Sequence, residues 1–559
     1  MKRRKAPTAR PMSVCTQLLL LLLLLPGTLH AWEPNAKDLD AAITGGNFAG
    51  YLTKISAWLS AKVPADPAKI SEPTLKALRQ QPVFANTLDQ RQLIAGHGAA
   101  ELDAFAKADP KNKKFLAWFL RDTQTMDLYL EAAAGKGNVG ALDRLRQIIA
   151  ADPDAKQGVY LKLAMAIALW PPGGKSYGSE LPIDWMGRYK HYKAARENEE
   201  LFPSFDTLSV WDMQHVVAGW SSDQDRAWVR QMISTWRPDL RTDTKVINIV
   251  SEVWRRWSPF PFKDGFVSVM AGGGKCGPRS WFGQTTCRAF GLPSIAMGQP
   301  KHSAVAYKSP DPSCEPQPGS SWKICYGRGW HVTHGGYNLL TEAAARDQVA
   351  LFSRIQHLKW LAAAVTSKDR ADTVLRIADK LQQEIPKPGK GPNPAVGPDG
   401  KIIPIAVPNP TKPLPVPANV PEPPFEPKPG VIHIEAESFR KSAGVEVHDC
   451  FTGGKQIYSP KYGEGWGTPP RIEYVVEVPE TGVYGLTMRA AVVNFEQSID
   501  VAVGAEKPVS VKVPNTHGLW GTTPEVDVRL QKGTQTLTLT RPASQRGLAL
   551  RYLELKAKK

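Results

Sequence analysis

Through the first half of the chain, apolar residues recur at three- and four-residue spacing. Segments 41–59, 75–85, 142–150, 160–170, 228–236 and 246–257 each carry such a stripe, which predicts helices with one buried face. Pro64, Pro110, Pro153, the run Pro171-Pro172-Gly173-Gly174 and Pro238 separate the stripes. Ser222, with Asp225 three residues on, predicts a helix N-cap. No fixed repeat period is present, so nothing favours a solenoid. The pattern reads as an all-α region over 32–262, closed by Pro259-Phe260-Pro261-Phe262.

Beyond it the periodicity changes. Gly272, Gly273 and Gly274 make a permissive turn. A helix is predicted from 276 to about 290, stopped by Gly291 and Pro293. Short apolar runs at 294–297 and 303–307 read as strands, with a kink at Gln299-Pro300 and with His302 opening the second. A further strand is expected from Trp330 to His334. Helices over 341–364 and 368–384 are expected to pack on this α+β domain, 263–385, through the stripe Leu351, Ile355, Leu358 and Leu361. Residues 386–430 hold 16 of the chain's 48 prolines. Such a segment is a semi-rigid extended linker, expected to hold its neighbours apart. From 431 to 559, alternating runs such as VIHIEAE, RIEYVVEV, GVYGLTMRA and TQTLTLT recur between turn signals, which predicts an all-β sandwich.

Length and composition fit this division. A chain of 559 residues, 42% hydrophobic, is expected to form several domains with ordinary cores. Residues 1–31 carry five cations, no acids, a leucine run at 18–25 and a cleavage point after Ala31. That reads as a signal peptide whose apolar run is too short to span a bilayer comfortably. The mature protein is then secreted or extracytoplasmic, with no stable membrane span. The formal charge of +17 falls to +12 without the leader. Diffuse surface lysine and arginine account for it, and attraction to acidic glycans is the other reading. Nothing resembles a nucleic-acid module. Of six cysteines, five remain after Cys15 is removed, so at least one thiol stays free. Cys276 and Cys287 stand about 16 Å apart along one predicted helix, beyond disulfide reach. Cys314 and Cys325, flanking a Pro/Ser-rich loop, are the expected bridge. No C-x-x-C spacing is present, and neither a metal nor another cofactor is expected.

The chemistry centres on Cys276. It falls in the first turn of its predicted helix, where the positive end of the dipole favours a thiolate. His302, on the following strand, is the base such a nucleophile needs. The tryptophans at 185, 211, 220, 228, 236, 254 and 257 read mainly as helix core, with a cleft wall beside Cys276 as the alternative. His215, between Met213 and Val216, reads as structural.

The segment resembles the transglutaminase-like cysteine hydrolase superfamily, which belongs with the papain-like folds. The resemblance is carried by G-x-C-G at 274–277, RAFGLPS at 288–294, HSAVAY at 302–307 and Gly329-Trp330, over roughly 100 residues. It implies an α+β papain/transglutaminase-like domain with Cys276 as nucleophile and His302 as base. The family's third member, an Asp, falls at His334, which would then orient the imidazole.

The sandwich resembles family 6 and 35 carbohydrate-binding modules, of jelly-roll form. The matching residues are Ile434-Glu435-Ala436-Glu437, EYVVEVPETGVYGLTMRAA at 473–491 and VRLQKGTQTLTLT at 528–540. By that resemblance Trp520 and Tyr458 stack on a sugar ring, with Tyr462 and Trp466 nearby. Glu435 and Glu437 match calcium ligands of those modules, but Ala549 and Arg551 replace the Asn and Asp of the last strand. Arg551 would repel the ion, so no metal is expected there.

Together these readings imply an exported thiol enzyme acting on peptide or protein amides. Its sandwich would tether it to a polysaccharide or cell-wall glycan. The alternatives are a non-catalytic glycan-associated scaffold and, for the sandwich alone, a module used for protein contact.

Overall fold

The three-four spacing folds into helices, more and shorter than the stripes alone suggest. In the computed structural model of this chain the described residues are 32–135, 137–170, 175–176, 179–180, 184–219, 221–255, 266–299, 301–308, 315–316, 321–325, 334–386, 426, 428–463, 467–493, 495–543 and 546–558. Residues 1–31 and nearly all of the proline-rich segment lie outside them. The helical part begins with α1 (Ala36–Gly45), α2 (Phe48–Lys62), α3 (Glu72–Arg79), α4 (Pro82–His97), α5 (Ala99–Ala108) and α6 (Pro110–Phe119). It continues with α7 (Thr123–Ala132), α8 (Val139–Ala151), α9 (Gly158–Leu169), α10 (Trp185–Glu197), α11 (Val210–Val217) and α12 (Asp223–Trp236). A small hairpin, β1 (Lys175–Ser176) with β2 (Ser179–Glu180), falls between α9 and α10.

Side chains set the helix starts. Asn47, Ser71, Asp122 and Asn138 each accept a backbone amide of the turn they open. The cap expected at Ser222 is a full capping box: Ser222 Oγ accepts the Asp225 amide at 2.9 Å, and Asp225 Oδ2 accepts the Ser222 amide at 3.0 Å. The stripe expected to form a helix over 246–257 forms instead a 3-10 helix, Val246–Glu252. Its β-branched run disfavours the α form, and Val246, Ile247, Ile249 and Val250 are all buried, so packing decides.

Next come α13 (Phe266–Gly272) and α14 (Cys276–Ala289), then an antiparallel sheet of β3 (Ser294–Gln299), β4 (His302–Lys308), β5 (Glu315–Pro316) and β6 (Trp322–Cys325). Its order is β3-β4-β6-β5. Three helices follow: α15 (His334–Asp347), α16 (Val349–Ala364) and α17 (Lys368–Glu384). Alternation along β4 sorts two cores. Val305 and Tyr307 join Phe282 and Cys287 of α14 on one face. Ala304 and Ala306 join Trp211 of α11 and Leu340 and Ala343 of α15 on the other.

The trailing helices differ from expectation. The helix foreseen over 341–364 is two, parting at Gln348. α16 and α17 pack on the N-terminal helices rather than on the sheet. Phe352, Ile355, Leu358 and Leu361 join the core built by α1 to α11. Arg370 Nη1 donates to the carbonyls of Ser60 at 2.9 Å and Val63 at 3.1 Å. The stripe is buried as its period predicts, but a period does not say which surface covers it.

The C-terminal part is all-β. Its strands are β7 (Val431–Glu435), β8 (Lys441–Ala443), β9 (Glu446–Asp449), β10 (Lys455–Ser459), β11 (Arg471–Val478) and β12 (Gly482–Ala491). Then follow β13 (Gln497–Val503), β14 (Val509–Val513), β15 (Gly521–Thr522), β16 (Val526–Leu530), β17 (Gly533–Thr540) and β18 (Leu548–Ala557). One antiparallel sheet runs β15-β12-β18-β10-β9, with β16 also on β12 and β7 on β18; the other runs β14-β13-β17-β11-β8. Along β11, Ile472, Tyr474, Val476 and Val478 are buried while Arg471, Val475 and Glu477 are exposed, the two-residue period of a half-buried strand.

The sandwich does not stand apart from the helical part, as the proline-rich segment led us to expect. One apolar core joins Val229, Met232, Ile233 and Trp236 of α12 to Tyr458, Ala491, Val493 and Ala549 of the sandwich. Hydrogen bonds between described residues also cross the junction. Trp236 Nε1 donates to Gly547 O at 3.1 Å, Trp228 Nε1 to His517 O at 3.0 Å, and Gln456 Nε2 to Thr235 O at 2.8 Å. A spacer limits how far apart its ends can be, and apolar burial between them decides how close they come. Among the described residues no helix is long and apolar enough to cross a membrane.

Candidate functional site

Cys276 is the first residue of α14, with Lys275 at the N-cap and no side chain capping the turn. It is half-buried and carries a free thiol. Cys287, on the same helix, and Cys450 are also free but buried. Cys325 is disulfide-bonded; Cys314, its expected partner, lies outside the described residues.

Polar contacts hold α14 along its length. Ser280 Oγ donates to Ala304 O of β4 at 2.6 Å, and Ser294 Oγ donates to Gln284 O at 2.9 Å. At the far end, buried Arg288 donates to His215 O at 2.9 Å and Ser294 O at 2.7 Å. Burial first, and then Arg226, lower its guanidinium to about 9. Arg230 Nη1 donates to Ala289 O at 2.9 Å, a cation where the helix dipole favours one.

Ser280 lies one turn past Cys276, and Ala304 two residues past His302. The bond between them, with Gly283 against Val305 further along, sets helix and strand in the same sense. Cys276 and His302 therefore begin their elements at the same end of the helix–sheet layer. His302 is half-buried and pairs with Gln299 across the hairpin. His334 does not lie in a strand: it opens α15, because the run from Asn338 to Ala345 is rich in helix formers and the helix extends back to it. Residues 326–333, with Trp330, lie outside the described residues.

The positions expected to stack on sugar are differently placed. Tyr458 is 2% exposed. Trp236 meets it edge-on at 6.0 Å between ring centroids, and the Arg237 guanidinium lies 4.6 Å from its ring. Burial pushes its phenol upward. Trp520 is half-buried on the same interdomain core, with an indole N–H that is buried and finds no hydrogen-bond partner among the described residues. Trp466 lies outside them. Of the aromatics foreseen for a sugar, Tyr458 is thus covered by Trp236 of α12, a contact no local pattern in the sandwich encodes. Two residues past Ala549, the β18 partner of Tyr458, Arg551 donates to Glu435 and to the carbonyls of Lys455 at 2.8 Å and Gly453 at 2.9 Å. A side-chain cation already fills that oxygen-lined corner.

Among the described residues, three possible metal ligands, Asp89, Asp127 and His357, come together in the helical part. Arg79 sits among them, reaching Asp127 at 2.5 Å, Asp89 at 3.0 Å and His357 Nδ1 at 3.2 Å. The guanidinium takes the place an ion would occupy.

Sequence reasoning missed Arg237, Gln456, Phe495 and Arg546, which line the junction near α14. The usable signal was the density of tryptophan over 211–257, since Trp228, Trp236 and Trp254 all meet the sandwich.

No known protein family and no curated protein matches the chain. Among solved structures it is similar to the C-terminal CBM6 module of LamC, a marine laminarinase from Zobellia galactanivorans, at 23% identity over 22% of this chain and 98% of that one, with a TM-score of 0.20. It is also similar to the carbohydrate-binding module CBM6cm-2 of Cellvibrio mixtus lichenase 5A, in complex with cellotriose, at 21% identity over 23% and 98%, TM-score 0.20. A family 35 carbohydrate-binding module from Clostridium thermocellum matches at 20% identity over 23% and 98%, again with a TM-score of 0.20.

Proposed function

We propose that the chain is a thiol enzyme of the transglutaminase-like type, hydrolysing or exchanging peptide or protein amides. One observation supports this most. A free, half-buried cysteine opens a 14-residue helix whose next turn is bonded to the strand that His302 begins. In this reading the Cys276 thiolate attacks the amide carbonyl carbon, forming a C–S bond, and backbone amides at the start of α14 hold the oxyanion. His302, protonated when the thiol ionised, returns its proton to the leaving nitrogen as the C–N bond breaks. Water or an amine, deprotonated by His302, then attacks the thioester carbon and frees the sulfur. His334 would orient the imidazole.

Iodoacetamide labelling, read by peptide mass spectrometry, tests it. Cys276 is expected to alkylate fast and with a pH-dependent rate, about tenfold or more slower in His302→Ala and less slowed in His334→Ala, in line with typical general-base effects. Equal, slow labelling of wild type and His302→Ala removes the enzymatic reading.

For the sandwich the covered Tyr458 favours the protein-contact reading, with its own chain as the partner. A glycan tether rests on the sequence resemblance alone, and in this reading uses a surface other than the one α12 covers.

A further inference from the structure

The sandwich reaches the turn before Cys276 through Trp254. Trp254 follows the 3-10 helix Val246–Glu252, and its carbonyl accepts the Gly274 amide at 2.8 Å, two residues before Cys276. Gly273, at φ 74°, lies directly against it. A Cβ at Gly273 would come 2.5 Å from the Trp254 carbonyl oxygen and 2.6 Å from its Cβ. The turn that delivers Cys276 to α14 is therefore shaped on Trp254, and only glycine fits it there.

Trp254 is in turn gripped by the sandwich. Phe495, between β12 and β13, places its ring centroid 5.4 Å from the indole. Arg546, just before β18, sets its guanidinium 4.4 Å from the indole centroid. Arg546 is 5% exposed, and burial lowers it to about 10, so it remains a cation at neutral pH and holds the ring by cation–π attraction. Described residues on either side of it are anchored. Arg541 donates to Ser459 O at 2.9 Å, to Ser459 Oγ at 2.6 Å and to Gln497 Oε1 at 2.7 Å. Gly547 O accepts the Trp236 indole.

We propose that Phe495 and Arg546 are positioning residues of the thiol site: by clamping Trp254 they fix the Gly273–Gly274 turn, and through it the first turn of α14 and Cys276. The consequence for chemistry rests on the thiol-enzyme reading, while the clamp itself does not. The sandwich is then a structural part of the site as well as an attached module.

The test uses the full chain with Phe495→Ala and Arg546→Ala, each beside a conservative rescue, Phe495→Tyr and Arg546→Lys. Two readouts are taken: hydrogen exchange of the Gly274 amide, and the pH profile of Cys276 alkylation by iodoacetamide. The alanine variants are expected to speed Gly274 exchange about tenfold, as a local opening does, and to shift the alkylation profile. The two conservative replacements, which keep a ring and a cation respectively, are expected to bring both readouts back towards wild type. Trp228→Phe loses the junction hydrogen bond to His517 O but keeps an aromatic ring against Phe266, and is expected to change neither. If an alanine variant does not fold, Phe495→Leu or Arg546→Gln takes its place. Wild-type Gly274 exchange in folded clamp variants, or equal acceleration in Trp228→Phe, overturns the clamp. If His302→Ala leaves alkylation unchanged while the clamp variants still speed Gly274 exchange, the enzyme reading fails and the clamp stands.

Discussion

His215 sits where α11 meets the sheet, ringed by Trp211, Trp322 and Trp170 at centroid distances of 4.5, 5.5 and 6.0 Å. It is 7% exposed, and its Nε2 has no hydrogen-bond partner among the described residues. Burial first, then the charges of Arg288 and Arg346, lower the imidazole from its ordinary 6.5 to about 3. The sign follows. Above pH 6.5 the ring is neutral in both folded and unfolded chains. As pH falls from 6.5 towards about 3, only the unfolded chain takes up the proton, so stability is lost at no more than about 1.4 kcal/mol per pH unit. His215→Phe keeps an aromatic ring and removes this loss. In urea unfolding at pH 7 and pH 4.5, the variant is expected to lose less stability between the two than wild type does. Equal losses would mean that the folded protein protonates this ring. A structural role for His215 was legible from its apolar neighbours Met213 and Val216. Its aromatic box was not, because Trp170 and Trp322 come from distant segments.

At the scale of elements, α14 is the best test of what spacing can and cannot say. Its limits follow from a glycine turn before Cys276 and a glycine–proline stop after Phe290, both local signals. Its docking depends on Gly283, which no local rule marks as special. A Cβ there would lie 2.8 Å from Val250 Cγ2 and 3.1 Å from both Ile247 Cδ1 and Val305 Cγ2. Alanine in place of glycine ordinarily gains about 1 kcal/mol of helix propensity. Here overpacking of about 1–3 kcal/mol opposes it. Gly283→Ala is therefore expected to be neutral to destabilising, and thermal unfolding of the variant checks it; a raised melting temperature would mean that the helix shifts freely on the sheet. The same limit explains the 3-10 helix at Val246–Glu252, whose stripe was visible but whose contacts with α14 were not. It also explains α16 and α17, whose buried face was legible and whose partner was not.

Across the whole molecule, the division into a helical part and a β-sandwich was readable because periods of 3.6 and 2 are written residue by residue. How the parts meet was not, since it depends on Trp236 entering a surface built by Tyr458, Gly547 and Ala549, more than 200 residues away. Trp236 is fully buried, its indole N–H is spent on Gly547 O, and its ring meets Tyr458. Truncating such a residue costs roughly 3–5 kcal/mol, because burial, ring contact and hydrogen bond are lost together and a cavity is left. Much of that cost falls on the junction, since the sandwich keeps a separate core around Leu486, Val501, Leu537 and Leu553. The full-length protein is expected to unfold in one cooperative calorimetric transition. Trp236→Ala should split it into two, with the sandwich and the helical part melting separately. One unchanged transition in the variant would show that the helical part and the sandwich are coupled by something other than this indole. Two transitions already present in wild type would show that the shared core is too weak to couple them, and would leave the Trp254 clamp without the rigid backing it requires.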